Sequence, residues 1–383
     1  MVILKEKLVM DKFTEVVKNR HEYAKDWQKR TGGRILGYFC TYMPEEILIA
    51  AGVMPVRILG SHEPQDVTER HIYSMFCPFC RDCLAQGLKG RFDYLDGVGM
   101  AHSCLHIRQS YASWVLHVPT KQNFSYYISM PAKPQSPRAR PFLISELQAF
   151  KKAVEEWVGK PITNNDLDKG IEIMNTNRSL MRQIYELRKQ DKPLVTGTEC
   201  MQMVVASQCM DKVEHSEMLR QFIKNELPKR TGRDAGIRLM IVGSEDDDTE
   251  FLSMAESLGA TIVADDHCTG SRYFWNEVPK NEDRIAAIAD RYIAKIPCPE
   301  KDWEERRRWV HITNMINEYK VQGVLMIQQK FCDPHEFDIP PLMKMLKEKM
   351  NIPSLFLEFD VTVPVGPFRT RVEAFLETLQ LDM

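Results

Sequence analysis

The sequence predicts an α/β chain built on two parallel sheets. Short apolar runs bounded by glycine alternate with helical periodicity near residue 34, and the same pattern returns near residue 238. Between the two lies a long stretch of helical spacing. At 383 residues, 44% of them hydrophobic and 27% charged, the chain has material for two or three cores.

In order along the chain, Leu8, Phe13, Val16 and Val17, then Tyr23 and Trp27, stand at helical spacing and predict one amphipathic helix or two short ones over residues 1–30. Gly32 and Gly33 end this arm. Residues 34–40 read as a buried strand, Pro44 opens a helix running to residue 51, Gly52 closes it, and residues 55–59 form a second strand, which together make a βαβ unit. A helix is expected after the cysteines at 77–83, a strand near 94–100, a helix across 108–115 and a strand at 124–130. Pro131, Pro134, Pro137 and Pro141 then punctuate the chain. Beyond a helix-rich stretch, a second βαβ unit takes residues 238–243, 250–258 and 259–264, with further strands at 323–327 and 354–359.

The resulting organisation is an N-terminal helical arm (1–30), a first α/β domain (31–145), a helical connecting region (146–230) and a second α/β domain (231–383). These are two flavodoxin/Rossmann-like parallel-sheet domains joined by a helical region, with a cleft between them. Open parallel sheets bind ligands at the carboxyl ends of their strands, which points to the loops after residues 39, 100, 243, 264 and 327.

A formal charge of −2 gives no general attraction to nucleic acid or to an anionic membrane. No stretch approaches the 18 apolar residues of a membrane span, and the first 30 residues interrupt every apolar run with charge, unlike a signal peptide. Ten cysteines in such a chain predict the reducing cytoplasm. No G-x-x-x-x-G-K-[ST] loop is present, so ATP hydrolysis is not expected of this chain alone.

Three cysteines fall within seven residues, Cys77-Pro-Phe-Cys80-Arg-Asp-Cys83, and Cys104 follows. Cys-x2-Cys spacing lets two thiolates close on one soft metal centre, with an iron–sulfur cluster and zinc as the candidates. A ferredoxin run would need a fourth cysteine and a proline that are missing, while His71, His102 and His106 do not take the usual zinc spacings. Cys40, Cys104, Cys268 and Cys332 each follow a predicted strand and are site candidates. Cys200, Cys209 and Cys298 have no such companions and read as buried structural thiols.

Gly37-Tyr-Phe-Cys-Thr-Tyr-Met-Pro-Glu-Glu-Ile-Leu-Ile-Ala-Ala-Gly52 with Pro55-Val-Arg57, Cys77-Pro78, and Phe92-Asp-Tyr-Leu-Asp-Gly97 leading to Cys104 resemble the 2-hydroxyacyl-CoA dehydratase component D family, which includes the benzoyl-CoA reductase subunits. Gly270-Ser-Arg-Tyr-Phe-Trp275, Arg291-Tyr-Ile-Ala-Lys-Ile-Pro-Cys-Pro299 and Lys330-Phe-Cys-Asp-Pro-His335 are similar to its later blocks, in the same order, so that the resemblance spans about residues 31–360. Length and the Arg272–Trp275 block are most similar to the C-type (gamma) subunit of ATP-dependent benzoyl-CoA reductase.

The resemblance implies a [4Fe-4S] cluster held by Cys77, Cys104 and Cys332, with an aromatic acyl-CoA as substrate, benzoyl-CoA being reduced to cyclohexa-1,5-diene-1-carbonyl-CoA. It implies two kinds of partner, a homologous cluster-bearing subunit and ATP-hydrolysing electron-activating subunits. A 2-hydroxyacyl-CoA dehydratase subunit and a non-catalytic electron-relay subunit are the alternatives. Two features depart from the family pattern: Cys104-Leu105 stands where Cys-Asp is usual, and Cys80 and Cys83 are additional thiols, either of which would close the site if it became a fourth ligand.

Tyr42, Glu45 and His335 are candidate catalytic residues, the first two following the first strand and the third lying three residues past Cys332. Glu45 and Glu46 also suit a helix N-terminus for its dipole alone. Arg272 and Lys330 are candidates for CoA phosphates, and Tyr273-Phe274-Trp275 reads either as core or as a wall for an aromatic acyl group.

Overall fold

The computed structural model describes residues 8–302, 304–360 and 365–381. The arm is two helices, α1 (Val9–Lys18) and α2 (Arg20–Thr31), and Gly32 ends the second with a left-handed φ of 66°. The first half then runs β1 (Arg34–Tyr38), α3 (Glu45–Ala50), β2 (Val53–Arg57), α4 (Pro78–Leu88), β3 (Gly97–Ala101), α5 (Leu105–His117) and β4 (Phe124–Ile128). Four helices follow: α6 (Ala139–Val158), α7 (Asn164–Glu186), α8 (Gly197–Cys209) and α9 (Lys212–Gln221). Capping boxes start two of them, Thr163 with Asp166 at α7 and Thr196 with Glu199 at α8. The second half comprises β5 (Ile237–Gly243), α10 (Thr249–Ser257), β6 (Ala260–Asp266), α11 (Ser271–Phe274), α12 (Arg284–Ala294), α13 (Arg307–Glu318), β7 (Gly323–Gln329), α14 (Asp333–Met350), β8 (Ser354–Phe359) and α15 (Val365–Leu381).

Each half carries one four-stranded, all-parallel sheet, ordered β2-β1-β3-β4 and β6-β5-β7-β8, so the α/β class with two parallel sheets holds. Pro55 sits inside β2 without penalty because β2 is an edge strand. Two boundaries differ from the expectation. The strand expected near 94–100 begins at Gly97, since Phe92 and Tyr94 are buried in a turn against His21 of the arm. The helix expected after the cysteine run starts inside it, because Pro78 is preorganised for a first helical position and leaves Cys77 as N-cap.

The connection from β6 to β7 reaches across to the first half. Val278, Ile285, Ile288 and Tyr292 are buried with Leu36, Ile47 and Leu147 in one apolar cluster. The Tyr292 hydroxyl donates to Met43 O at 2.5 Å, and Arg140 on α6 pairs with Asp290 on α12 at 2.7 Å. No helix among the described residues is long and apolar enough to cross a membrane.

His215 on α9 is fully buried, with Nδ1 2.8 Å from the Asn177 amide and Nε2 2.9 Å from Met203 O. Burial, aided by Lys212, pulls its pKa down to about 3. The unfolded chain therefore binds a proton that the folded chain refuses between the ordinary value near 6.5 and about 3. Stability is expected to fall as pH drops through that window, by up to about 1.4 kcal/mol per pH unit from this group. Urea midpoints measured from pH 7 to pH 4 should decline more steeply for the wild type than for His215→Gln, and equal slopes would contradict this.

Candidate functional site

The loops at the carboxyl ends of β1, β3, β5, β6 and β7 surround a single cavity between the halves. All ten cysteines are thiols, and seven line this cavity: Cys40, Cys77, Cys80, Cys104, Cys268, Cys298 and Cys332. Cys77, Cys104 and Cys332 share one local design. Each is the N-cap residue of a helix, α4, α5 and α14 respectively, and none uses its side chain to cap the helix. Their sulfur atoms are left to the cavity, where three helix N-termini favour negative charge.

The thiols differ in acidity. The Cys80 thiol, 3.1 Å away, and His106 hold the Cys77 pKa down to about 6 against the effect of burial. Burial pushes Cys80, Cys104 and Cys332 up, and the neighbouring Cys77 adds to each shift. Across the cavity, Cys298 together with Arg272, Arg57 and Lys295 holds Cys268 well below the ordinary thiol range.

That second wall is cationic. Arg57 is fully buried and bonds Gln208 and Glu245. Lys295 donates to Arg272 O at 2.7 Å, and burial lowers its pKa to about 7, with Arg291 contributing. Lys295 and Lys301 also lie 4.9 and 5.6 Å from the Tyr42 ring.

The candidate residues fall into two groups. Tyr42 lines the cavity, accepts from the Cys298 N–H at 3.1 Å, and is kept protonated by burial. His335 also lines it, with Nδ1 3.3 Å from Cys332 Sγ, and burial beside Arg272 keeps the ring neutral. Glu45 stands behind the wall, where its carboxylate accepts from Tyr38 at 3.2 Å and Tyr273 at 3.1 Å and meets Lys212 at 3.2 Å. Glu46 pairs with Arg178 at 2.6 Å, and Arg178 and Arg291 hold it below the carboxylate range although burial opposes them.

Arg272 is 2% exposed and faces the cavity, whereas Lys330 lies outward against Asp360 at 3.7 Å. The aromatic triplet is divided among packing contacts. Tyr273 bonds Glu45, Phe274 packs edge-on to Tyr185, and Trp275 packs against His311. Cys83 points away from the cavity and donates to Ile58 O at 3.4 Å.

Cys298, read from the sequence as a structural thiol, instead belongs to the cavity wall beside Cys268. It had no neighbouring cysteine to signal it. The Cys298-Pro299 dipeptide did repeat Cys77-Pro78, and both cysteines prove to be caps followed by a proline at the first helical position.

Among the described residues, no group of three or more His, Cys, Asp or Glu side chains is placed to hold a metal ion. The thiols share a cavity rather than a point. Soft sulfur donors, helix N-termini and buried cations suit an anionic, sulfur-bound group larger than a single ion, so the donor set fits an iron–sulfur cluster in its chemistry.

Relatives resemble the chain over nearly its whole length. The (R)-phenyllactyl-CoA dehydratase beta subunit of Clostridium sporogenes is 27% identical over 369 residues, covering 96% of this chain and 97% of its own. A benzoyl-CoA reductase subunit of Thauera aromatica is 24% identical, covering 94% of each chain. The (R)-2-hydroxyglutaryl-CoA dehydratase beta subunit of Acidaminococcus fermentans is 25% identical, covering 92% of this chain and 94% of its own. The family model of the 2-hydroxyglutaryl-CoA dehydratase D-component matches residues 40–379, and the chain belongs to that family.

Proposed function

We propose that the chain is the iron–sulfur subunit of a heteromeric enzyme acting on a CoA thioester, with a [4Fe-4S] cluster held by Cys77, Cys104 and Cys332. The observation that carries this reading is that three capping cysteines, spread over 256 residues of sequence, turn their thiols into one cavity at the strand ends. Bound there, the cluster would supply single electrons at low potential, within a range that reaches about −700 mV for such groups. In this reading Tyr42, which lines the cavity and is kept protonated by burial, donates a proton to a reduced acyl group. His335 positions Cys332, and Glu45 positions the wall through Tyr273. Partner subunits, one homologous and others hydrolysing ATP, are part of the proposal, supported by the absence of a phosphate loop in the sequence and by relatives that are themselves named as subunits.

Two finer readings each have support. Dehydration of a 2-hydroxyacyl-CoA is favoured by the two dehydratase beta subunits among the relatives described. Reduction of benzoyl-CoA is favoured by the likeness to the benzoyl-CoA reductase of Thauera aromatica and by the aromatic wall of Phe39, Tyr42 and Phe79. Anaerobic coexpression with partner subunits, ATP and a strong reductant, assayed on benzoyl-CoA and on (R)-2-hydroxyacyl-CoA esters, separates them. Turnover of the hydroxyacyl thioester alone would reject the reductase.

Each of Cys77→Ser, Cys104→Ser and Cys332→Ser is expected to lose most of the bound iron and sulfide, and unchanged content in all three would sink the ligand assignment. Tyr42→Phe is expected to keep the iron content and lower turnover by about 10²-fold.

A further inference from the structure

Cys77 and Cys80 have a relationship that cluster binding does not require. Their sulfur atoms stand 3.1 Å apart, and joining them needs an approach of only about 1 Å to the bonded distance. The two occupy the start of α4, Cys77 as N-cap with an extended ψ of 143° and Cys80 in the first turn, so the short Cys-x2-Cys loop is closed by the local backbone alone. Both thiols line the cavity. Cys83, one turn further on, is held away by its bond to Ile58 O, which leaves Cys80 as the partner of Cys77 on this helix.

We propose that Cys77 and Cys80 form a reversible disulfide site, closed by exchange with a small-molecule disulfide, and that the closed form withdraws Cys77 from cluster binding. One protein thiol attacks the disulfide RSSR and releases RSH, giving a mixed disulfide. The second protein thiol then displaces the other RSH. In sum, two protein thiols and one RSSR give one protein disulfide and two RSH, so the protein is oxidised by two electrons and the small molecule is reduced by two. The disulfide itself does not depend on the proposed function, whereas its effect on cluster uptake rests on Cys77 being a ligand.

The test uses the full-length chain purified without iron, shown to be folded by a cooperative urea transition, and treated anaerobically with oxidised glutathione. Cleavage after Arg70 and Arg81 releases residues 71–81, which contain these two cysteines and no other, while Cys83 falls in the next peptide. The expected product is that peptide lighter by two hydrogen atoms, resistant to alkylation, and restored by dithiothreitol. Cys83→Ser should behave as the wild type, and Cys80→Ser should form no such product. Continued alkylation of both thiols, or pairing of Cys77 with Cys104 or Cys332 instead, would overturn the site.

Iron and sulfide uptake then reads the second half of the proposal. The oxidised chain should take up at least several-fold less iron than the reduced chain and recover on treatment with dithiothreitol, and Cys83→Ser should match the wild type in both states. A peptide that closes while iron uptake stays unchanged would leave the disulfide standing and overturn the withdrawal of Cys77.

Discussion

Replacing Arg308 with methionine is expected to lower the unfolding free energy by about 3–5 kcal/mol. Arg308 is 1% exposed, and its guanidinium donates to Asp266 at 2.6 Å and to Asp338. One cation thereby ties the end of β6 to α14, the helix that begins after Cys332. Although burial opposes it, Arg308 together with Arg272 holds Asp266 below the carboxylate range. Without the guanidinium, Asp338 keeps Arg306 at 2.8 Å and the Trp309 indole at 2.9 Å, whereas Asp266 is left with the more distant Arg272 at 3.7 Å and the influence of His311.

The pH dependence of that loss has a definite sign. The lowered pKa of Asp266 contributes stability above the unfolded value near 3.9, and the contribution disappears as pH falls through the lower folded value. The gap between wild type and Arg308→Met should therefore be widest near pH 7 and shrink below pH 4. Arg140→Met removes an ion pair from a half-exposed arginine and is expected to cost less than about 1 kcal/mol. Urea titrations of both variants check the contrast, and equal losses would contradict the buried network.

Gly243→Ala should be comparably damaging, at about 3 kcal/mol. Gly243 ends β5, and a β-carbon there would fall on the carbonyl oxygen of Ile327 in the paired strand β7. The obstruction is backbone, so no rotamer change relieves it. The residue also supports the cavity, because its carbonyl accepts from Arg272 and the next residue, Ser244, donates to Ile327 O at 3.1 Å. Iron uptake should fall along with stability. Gly90→Ala is the control: Gly90 has a φ of 71° but nothing within 4 Å of an added β-carbon, so only the conformational cost of about 1 kcal/mol is expected. Wild-type stability in Gly243→Ala would show that the strands can part without cost.

The sequence made the strand–helix order legible because apolar runs ended by glycine mark buried parallel strands at either end of the chain. It also pointed to the cysteine-lined cavity, since strand ends in parallel sheets gather at one edge and the cysteine-bearing loops follow those ends. What stayed hidden was set by tertiary contact. The apolar face of residues 284–294 announces burial but not that it packs against the first sheet's layer. Phe92 and Tyr94 carry strand-like residue types yet are buried by the arm in a turn. Glu45 follows the right strand, but its helix turns the carboxylate toward Lys212 and Tyr273 behind the cavity. Cys298 reaches the wall only because α12 has crossed over.

That crossing has a consequence for synthesis. The bond between Met43 and Tyr292 joins residues 249 positions apart. At ribosomal rates of about 5–20 residues per second, the surface around Met43 waits on the order of 10–50 s for the segment that covers it. Throughout that interval the nascent chain carries part of an apolar face open to water, the kind of transiently exposed surface that promotes aggregation.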